Sequence, residues 1–179
     1  DRLLRSIILN RNINPDDLLV GDKNAIIVAS RITGYGSEYT TNVACPACNA
    51  SNQCTIDLEN SLENDFKGKK YDDEDVEATE HGSFIITTPR TKAKVEIRLL
   101  NGHDEKRLAK LEQQRVKNKL PESLATTTMG SFIMSVNGST DPHYIGSFIE
   151  NAPAADARYV REAYRTIAPN INMGFDFYC

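Results

Sequence analysis

The stretch Val43-Ala44-Cys45-Pro46-Ala47-Cys48-Asn49-Ala50 places two cysteines three positions apart, with a proline between them. Two thiolates at this spacing can bind one metal ion at distances of about 2.3 Å, with the amides of the turn facing the sulfurs. Asn49 follows the second cysteine, where such a turn needs a left-handed backbone, and asparagine tolerates that conformation better than most residues do. The stretch therefore predicts a zinc knuckle.

A tetrahedral zinc ion needs two further ligands, and the chain has two further cysteines, Cys54 and Cys179. In one completion of the site, both bind the metal together with the knuckle. In the other, which we prefer, Cys179 opens a second Cys-x-x-Cys that continues outside this sequence, and Cys54 is a small buried residue of a strand. Residues 39–43 and 175–178 favour the second completion, because both runs alternate as strands that enter a knuckle do.

Three alternatives to zinc exist for the cysteine pair: a redox pair, a structural disulfide and a degenerate knuckle that binds no metal. A redox pair of the thioredoxin type lies between a strand and a helix, whereas strand-like sequence flanks Cys45 and Cys48 on both sides. A structural disulfide requires an oxidising compartment. We therefore expect one structural zinc site with Cys45, Cys48, Cys179 and Cys54 as the candidate ligands.

Composition predicts an ordinary globular protein. The chain has 179 residues, of which 40% are hydrophobic and 26% charged, with a net charge of −4. This length predicts a single domain over residues 1–179. The negative balance disfavours nucleic acid as the main partner, and the longest aliphatic run, residues 25–29, is too short for a membrane span. The first residue is Asp1 and the last is Cys179, which we interpret as a segment of a longer protein.

The pattern of apolar residues and turn signals predicts an α+β fold: a mainly helical domain with a small antiparallel zinc-ribbon-like hairpin and an additional β-hairpin. The predicted segments are helices in 1–36, the knuckle hairpin in 37–58, an acidic mobile insert in 59–82, a β-hairpin in 83–100, helices in 101–172 and a strand in 173–179 that returns to the zinc site.

Three details of this prediction concern particular helices. A break and new cap at Gly21-Asp22 should precede a helix over residues 24–33, which is apolar on several sides and predicts the centre of the core. Residues 121–136 should form one helix. Residues 104–119 should form a long polar helix with many basic residues, which supports the alternative hypothesis of a nucleic-acid-binding zinc-ribbon protein.

The sequence contains no P-loop, dinucleotide-binding, zinc-protease or serine-hydrolase motif. No pairing of a cysteine with one of the three histidines stands out as a nucleophile and its base. We therefore expect no catalytic residues and no enzymatic activity.

A series of short strings follows a recognisable order through residues 1–58 and 121–179. The strings are LLVGDK (18–23), IIVASRI (26–32), YG (35–36), VACPAC (43–48), IMSVNG (133–138) and DARYVR (156–161), followed by the final Cys179. Together they resemble the T4-type bacteriophage baseplate proteins, the group that contains the hub subunit or hub-assembly protein of contractile tails. The similarity is weakest through the acidic insert and the basic helix.

This resemblance implies a non-enzymatic virion or assembly protein that contacts other baseplate or hub proteins within a hetero-oligomeric assembly. It implies a tail-baseplate location in the virion, after assembly in the bacterial cytoplasm, where thiols stay reduced. It also implies a zinc site built from two distant Cys-x-x-Cys pairs. That implication carries over to Cys45, Cys48 and Cys179, whereas Cys54 departs from the family's pattern.

Overall fold

The computed structural model describes residues 2–60, 76–119, 124–168, 170–172 and 174–179. It has the predicted α+β fold, with helices and two antiparallel sheets. The chain forms two compact units. The described residues of the first unit are 2–15, 21–60 and those after 169, and those of the second are 16–20, 76–119 and 124–168. The single domain over 1–179 stays a prediction, because two compact units can fold together as one domain.

The described residues of the first unit include helix α1 (Arg2–Ile7) and helix α2 (Val20–Tyr35), although the first residue of α2 belongs to the second unit. The predicted break at Gly21-Asp22 is wrong, since α2 runs through both residues. Gly21 is buried in the first turn, and Asp22 lies near the positive end of the helix dipole. The residues before α2 form turns and not the start of a helix.

The knuckle hairpin is confirmed. Strands β1 (Glu38–Ala44) and β2 (Ser51–Asp57) pair in antiparallel register, with Ala44 opposite Ser51 at the knuckle end. Thr40 and Thr55 face each other across the hairpin, with their hydroxyl oxygens 3.0 Å apart. Such cross-strand pairs fix the register and so fix which residues stand beside the turn.

The strand expected over 173–179 is wrong for the described residues 174–179, which form no strand. The alternating residues Phe175 and Phe177 contact each other, with ring centroids 6.3 Å apart. The amide of Gly174 bonds the side chain of Asn172 at 2.9 Å. The two aromatic rings therefore lie on the same side of the segment, as the alternation predicts. A strand also needs a neighbouring strand to pair with, and alternation alone does not provide one.

The second unit is built on a four-stranded antiparallel sheet in the order β3-β4-β5-β6. The predicted β-hairpin is confirmed as β4 (Ser83–Thr87) and β5 (Lys94–Arg98). Strands β3 (Val76–Ala78) and β6 (Ile133–Val136) were not predicted. Strand β3 lies within the predicted acidic insert 59–82, so the last part of that segment is not the mobile loop that was expected. The central residues 61–75 lie outside the described residues.

Strand β6 also corrects the helix expected over 121–136, which ends at Phe132. The branched residue Val136 pairs with Val95 and Ile133 with Ile97, and all four are buried. Isoleucine and valine pack well on a pleated surface. The helical spacing of the apolar residues therefore predicts the wrong conformation for residues 133–136, which pair with β5 as a strand.

The segment predicted to contain helices holds α3 (Gly102–Lys117), the shortened α4 (Leu124–Phe132), α5 (Pro142–Asn151) and α6 (Ala154–Ile167). Helix α3 starts with a capping box, in which the side chains of Asn101 and Asp104 each accept a hydrogen bond from the other's backbone amide. Within the described part of the chain, each helix is too short or too polar to cross a membrane.

The main hydrophobic core lies in the second unit. Its fully buried side chains come from the sheet and from α4 and α6, and include Ile86, Val95, Phe132, Val136 and Val160. The expectation that residues 24–33 form the centre of the core is therefore wrong. In α2, Ala25 and Val28 are buried, but Ile27 remains 40% exposed, and neither buried residue belongs to the main core.

Candidate metal centre

The knuckle turn fixes two of the predicted ligands. The amide of Asn49 donates to the carbonyl of Cys45 at 2.8 Å, and the amide of Cys45 donates to the carbonyl of Ala50 at 2.9 Å. Asn49 has a φ of 59°, the left-handed conformation expected at this position. The sequence of the turn thus places Cys45 and Cys48 on one side of a short, hydrogen-bonded loop.

The same turn stabilises a thiolate at Cys45. The backbone amides of Cys48 and then Ala47 donate to its sulfur and, with a smaller contribution from the Cys48 thiol, lower the pKa of Cys45 below its ordinary value. A metal binds the thiolate and not the thiol. The knuckle therefore favours the form of Cys45 that binds a metal ion.

Cys179 lies beside this pair, although 131 positions separate it from Cys48. The sulfurs of Cys48 and Cys179 are 3.6 Å apart, and all three sulfurs lie within 4.8 Å of one another. In a zinc tetrahedron with metal–sulfur distances of about 2.3 Å, neighbouring sulfurs are about 3.8 Å apart. Small side-chain adjustments therefore suffice for one ion to reach all three.

The three cysteines differ in exposure and in their hydrogen bonds. Cys45 is buried, whereas Cys48 and Cys179 are exposed. Hydrogen bonds to the sulfurs of Cys48 and then Cys45 favour the protonated form of Cys179 and raise its pKa, and the side-chain amide of Asn52 acts in the opposite direction. A bound cation would instead favour all three thiolates together.

Cys54, the fourth candidate ligand, does not join this group, which has three members among the residues that the structure describes. It lies within β2, opposite Thr41 in β1, and its sulfur is 3.9 Å from the carbonyl oxygen of Asn52. The prediction that Cys54 occupies a strand is correct, although it is half-buried and not fully buried. The preferred completion, with Cys54 outside the site, agrees with this placement.

Asn52 is a site residue that the sequence analysis missed. Its Nδ2 atom lies 3.7 Å from the sulfur of Cys179 and 2.9 Å from the carbonyl oxygen of Ala50. Its position four residues after Cys48 could have indicated that it lies near the metal ligands, because residues that follow a hairpin turn lie beside that turn. The approach of the final residue, however, cannot be inferred from local sequence.

The helix that motivated the nucleic-acid hypothesis is α3. Two of its basic residues are engaged within the second unit, since Lys106 pairs with Asp16 at 2.7 Å and Arg107 pairs with Asp104 at 3.0 Å. A phosphate backbone would have to compete with these carboxylates for the same cations. The geometry therefore adds no support for α3 as a nucleic-acid-binding surface.

Two other polar clusters have structural explanations in the second unit. Asp156, at the start of α6, accepts hydrogen bonds from the amides of Arg90 and Thr91 and from the Thr91 hydroxyl, at 2.7–2.9 Å. Asp104 receives a bidentate contact from Arg98 at 2.7 and 2.8 Å. Asp156 holds the loop at residues 90–91, and Asp104 caps the start of α3. Both carboxylates are therefore buried polar groups with hydrogen-bond partners, as a structural role requires.

No family model, curated protein or solved structure was found to match this chain.

Proposed function

We propose that this protein is a non-enzymatic structural or assembly protein of a contractile phage tail baseplate, stabilised by a structural zinc ion. The observation that carries the metal part of the proposal is the convergence of Cys45, Cys48 and Cys179 from distant parts of the sequence. These three residues would hold the ion. Its contribution would be a cross-link between the knuckle and the final residue.

The burial pattern of the first unit explains why it would need such a cross-link. Its buried hydrophobic side chains, among the residues that the structure describes, are Leu4, Ala25, Val28, Cys45 and Leu58. A core this small gives little hydrophobic stabilisation. Structural zinc contributes apparent free energies of about 10–16 kcal/mol in small domains, against a net folding stability of only about 5–15 kcal/mol.

Three sulfur ligands support a structural ion over a catalytic one. Catalytic zinc usually has histidine or carboxylate ligands and an open position for water, whereas structural zinc is usually closed by thiolates. Three thiolates gathered by a hydrogen-bonded knuckle match the structural class. A fourth donor from outside the three cysteines would close the tetrahedron.

The place of the protein in a tail baseplate is supported by the ordered strings that resemble the baseplate hub proteins. Contact with other hub proteins and a virion location follow from that resemblance. A bacterial cytoplasm also suits the site, because reduced thiols remain free to bind metal.

The metal is tested by elemental analysis and chelation of the purified protein, with Cys48→Ser and Cys54→Ser as a matched pair. We expect about one zinc per chain in the wild type and in the Cys54 variant, and a much lower content in the Cys48 variant. Equal zinc loss in both variants, or a zinc-free wild type, would contradict the metal site.

The baseplate role is tested separately by mass spectrometry of purified tails and of baseplate assembly intermediates from infected cells. The peptides of this chain should occur in at least one of the two fractions. Their absence from both would exclude the assembly role, whatever the metal content of the purified protein.

A further inference from the structure

Asn52 stands where β2 begins beside the knuckle, opposite Val43 in the hairpin register. It is half-buried on the face of the hairpin that also carries Cys54. Its side-chain amide has two hydrogens and two acceptors, the carbonyl oxygen of Ala50 at 2.9 Å and the sulfur of Cys179 at 3.7 Å. The amide thus connects the backbone of the turn to the most distant ligand.

We propose that Asn52 is a positioning residue for the metal centre, which holds the sulfur of Cys179 in place and disperses its negative charge. This inference rests on the metal site proposed above. Metal ligands commonly need such hydrogen-bonding partners, and loss of a partner lowers metal affinity by about 10–100-fold.

The three ligands differ in how their own surroundings hold them. Cys45 and Cys48 belong to a turn that is closed by two backbone hydrogen bonds of Cys45, one with Asn49 and one with Ala50. Cys179 is in a segment without helix or strand, and its neighbour Tyr178 is 99% exposed. Besides the sulfur of Cys48, the side-chain amide of Asn52 contacts Cys179, and this amide is itself bonded to the hairpin backbone at Ala50. Cys179 is therefore the ligand whose position should depend most on a partner outside the metal.

The choice of an amide also has a chemical reason. An asparagine side chain can donate one N–H to Ala50 and a second to the sulfur at the same time. An ionised aspartate has nearly the same shape but only accepts hydrogen bonds, and its charge would repel a thiolate. Asn52→Asp therefore removes the donor with little change in volume.

Gln53 provides the matched control. It is the next residue of β2, is exposed, and projects to the opposite face of the hairpin. Gln53→Glu makes the same amide-to-carboxylate change with the same change in net charge. The measurement is the zinc dissociation constant of the full chain, by competition with a chromophoric chelator, together with the alkylation rate of Cys179 in the zinc-loaded protein.

We expect Asn52→Asp to weaken zinc binding by about 10–100-fold and to speed alkylation of Cys179, while Gln53→Glu stays within about twofold of the wild type. A wild-type affinity in Asn52→Asp, or an equal loss in both variants, would overturn the role of Asn52 and leave the metal site standing. A wild type that binds no zinc would instead overturn the proposed site itself.

A second variant separates positioning from misfolding. Asn52→Ala in a Cys179→Ala background should change the affinity for cobalt, used as a spectroscopic substitute, by less than about twofold, because the partner sulfur is gone. Asn52→Ala alone should weaken cobalt binding and alter the thiolate-to-cobalt absorption. An equal effect of Asn52→Ala in both backgrounds would show a general structural effect and would overturn the proposal.

Discussion

The substitution Cys179→Ser should remove most of the zinc-dependent stability of the protein. A bridge between Cys48 and Cys179 closes a loop across 131 positions. In the chain-entropy description of cross-links, a loop of that length is worth about 5 kcal/mol at 25 °C. Zinc at 1,000 times its dissociation constant would stabilise the native state by about 4 kcal/mol through mass action alone.

A loss of about 4–5 kcal/mol corresponds to a fall in melting temperature of about 10–20 °C for a chain of this length. Thermal unfolding in saturating zinc should therefore separate the variant clearly from the wild type. The fall should coincide with the unfolding of the first unit, which hydrogen exchange of the β1 and β2 amides can follow.

Cys54→Ser is the matched control, since Cys54 lies outside the three-sulfur group in the described part of the chain. It should change the melting temperature by only a few degrees and leave the response to chelation intact. Melting of Cys179→Ser at the wild-type temperature, in saturating zinc, would refute the reasoning that the bridge stabilises the fold.

Two further predictions concern the second unit. Asp156→Asn should lower the free energy of unfolding by about 1.5–3 kcal/mol in urea titrations at pH 7, because the charged acceptor for Thr91 and Arg90 is lost. Burial alone would raise the pKa of Asp156, but these hydrogen bonds outweigh it and hold the pKa below its ordinary value, so its stabilisation is present above about pH 4 and is lost as the pH falls through the lowered pKa. The variant should therefore show a smaller loss of stability on acidification, and an unchanged slope would contradict this account. Phe132→Ala should cost about 3–5 kcal/mol, because the ring is 1% exposed and stacks on Tyr164 at 4.3 Å; a loss below about 1 kcal/mol would show that this core is not tightly packed.

Local sequence was sufficient for the features that local physics determines. The cysteine spacing and the left-handed Asn49 define the knuckle, and alternation on both sides defines its hairpin. Helix α6 lies in the segment 101–172 that was predicted to contain helices, and its Val160 and Ile167 are buried in the core on one helical face.

The errors arise where tertiary contacts decide the conformation. Ile133–Val136 has a spacing compatible with a helix, yet it pairs with β5 as an additional strand. The final residues alternate like a strand but have no ladder. The partner of Ile133–Val136 lies far away in sequence, and the described residues 174–179 pair with no strand. Periodicity carries no information about whether such a partner is present.

The candidate site also combines features that local sequence predicts with features that depend on distant contacts. Cys45 and Cys48 were predicted as a pair from their spacing, and Cys179 was added because of its place after an alternating segment. Asn52 was missed, because its role depends on the approach of a residue 127 positions away. Long-range convergence of this kind is visible only in three dimensions.

The most direct test of the zinc bridge is X-ray absorption at the zinc edge, on protein purified without added chelator. The account predicts about one zinc per chain with at least three sulfur neighbours at about 2.3 Å. Protein without zinc, or zinc surrounded mainly by oxygen and nitrogen at about 2.0–2.2 Å, would contradict it.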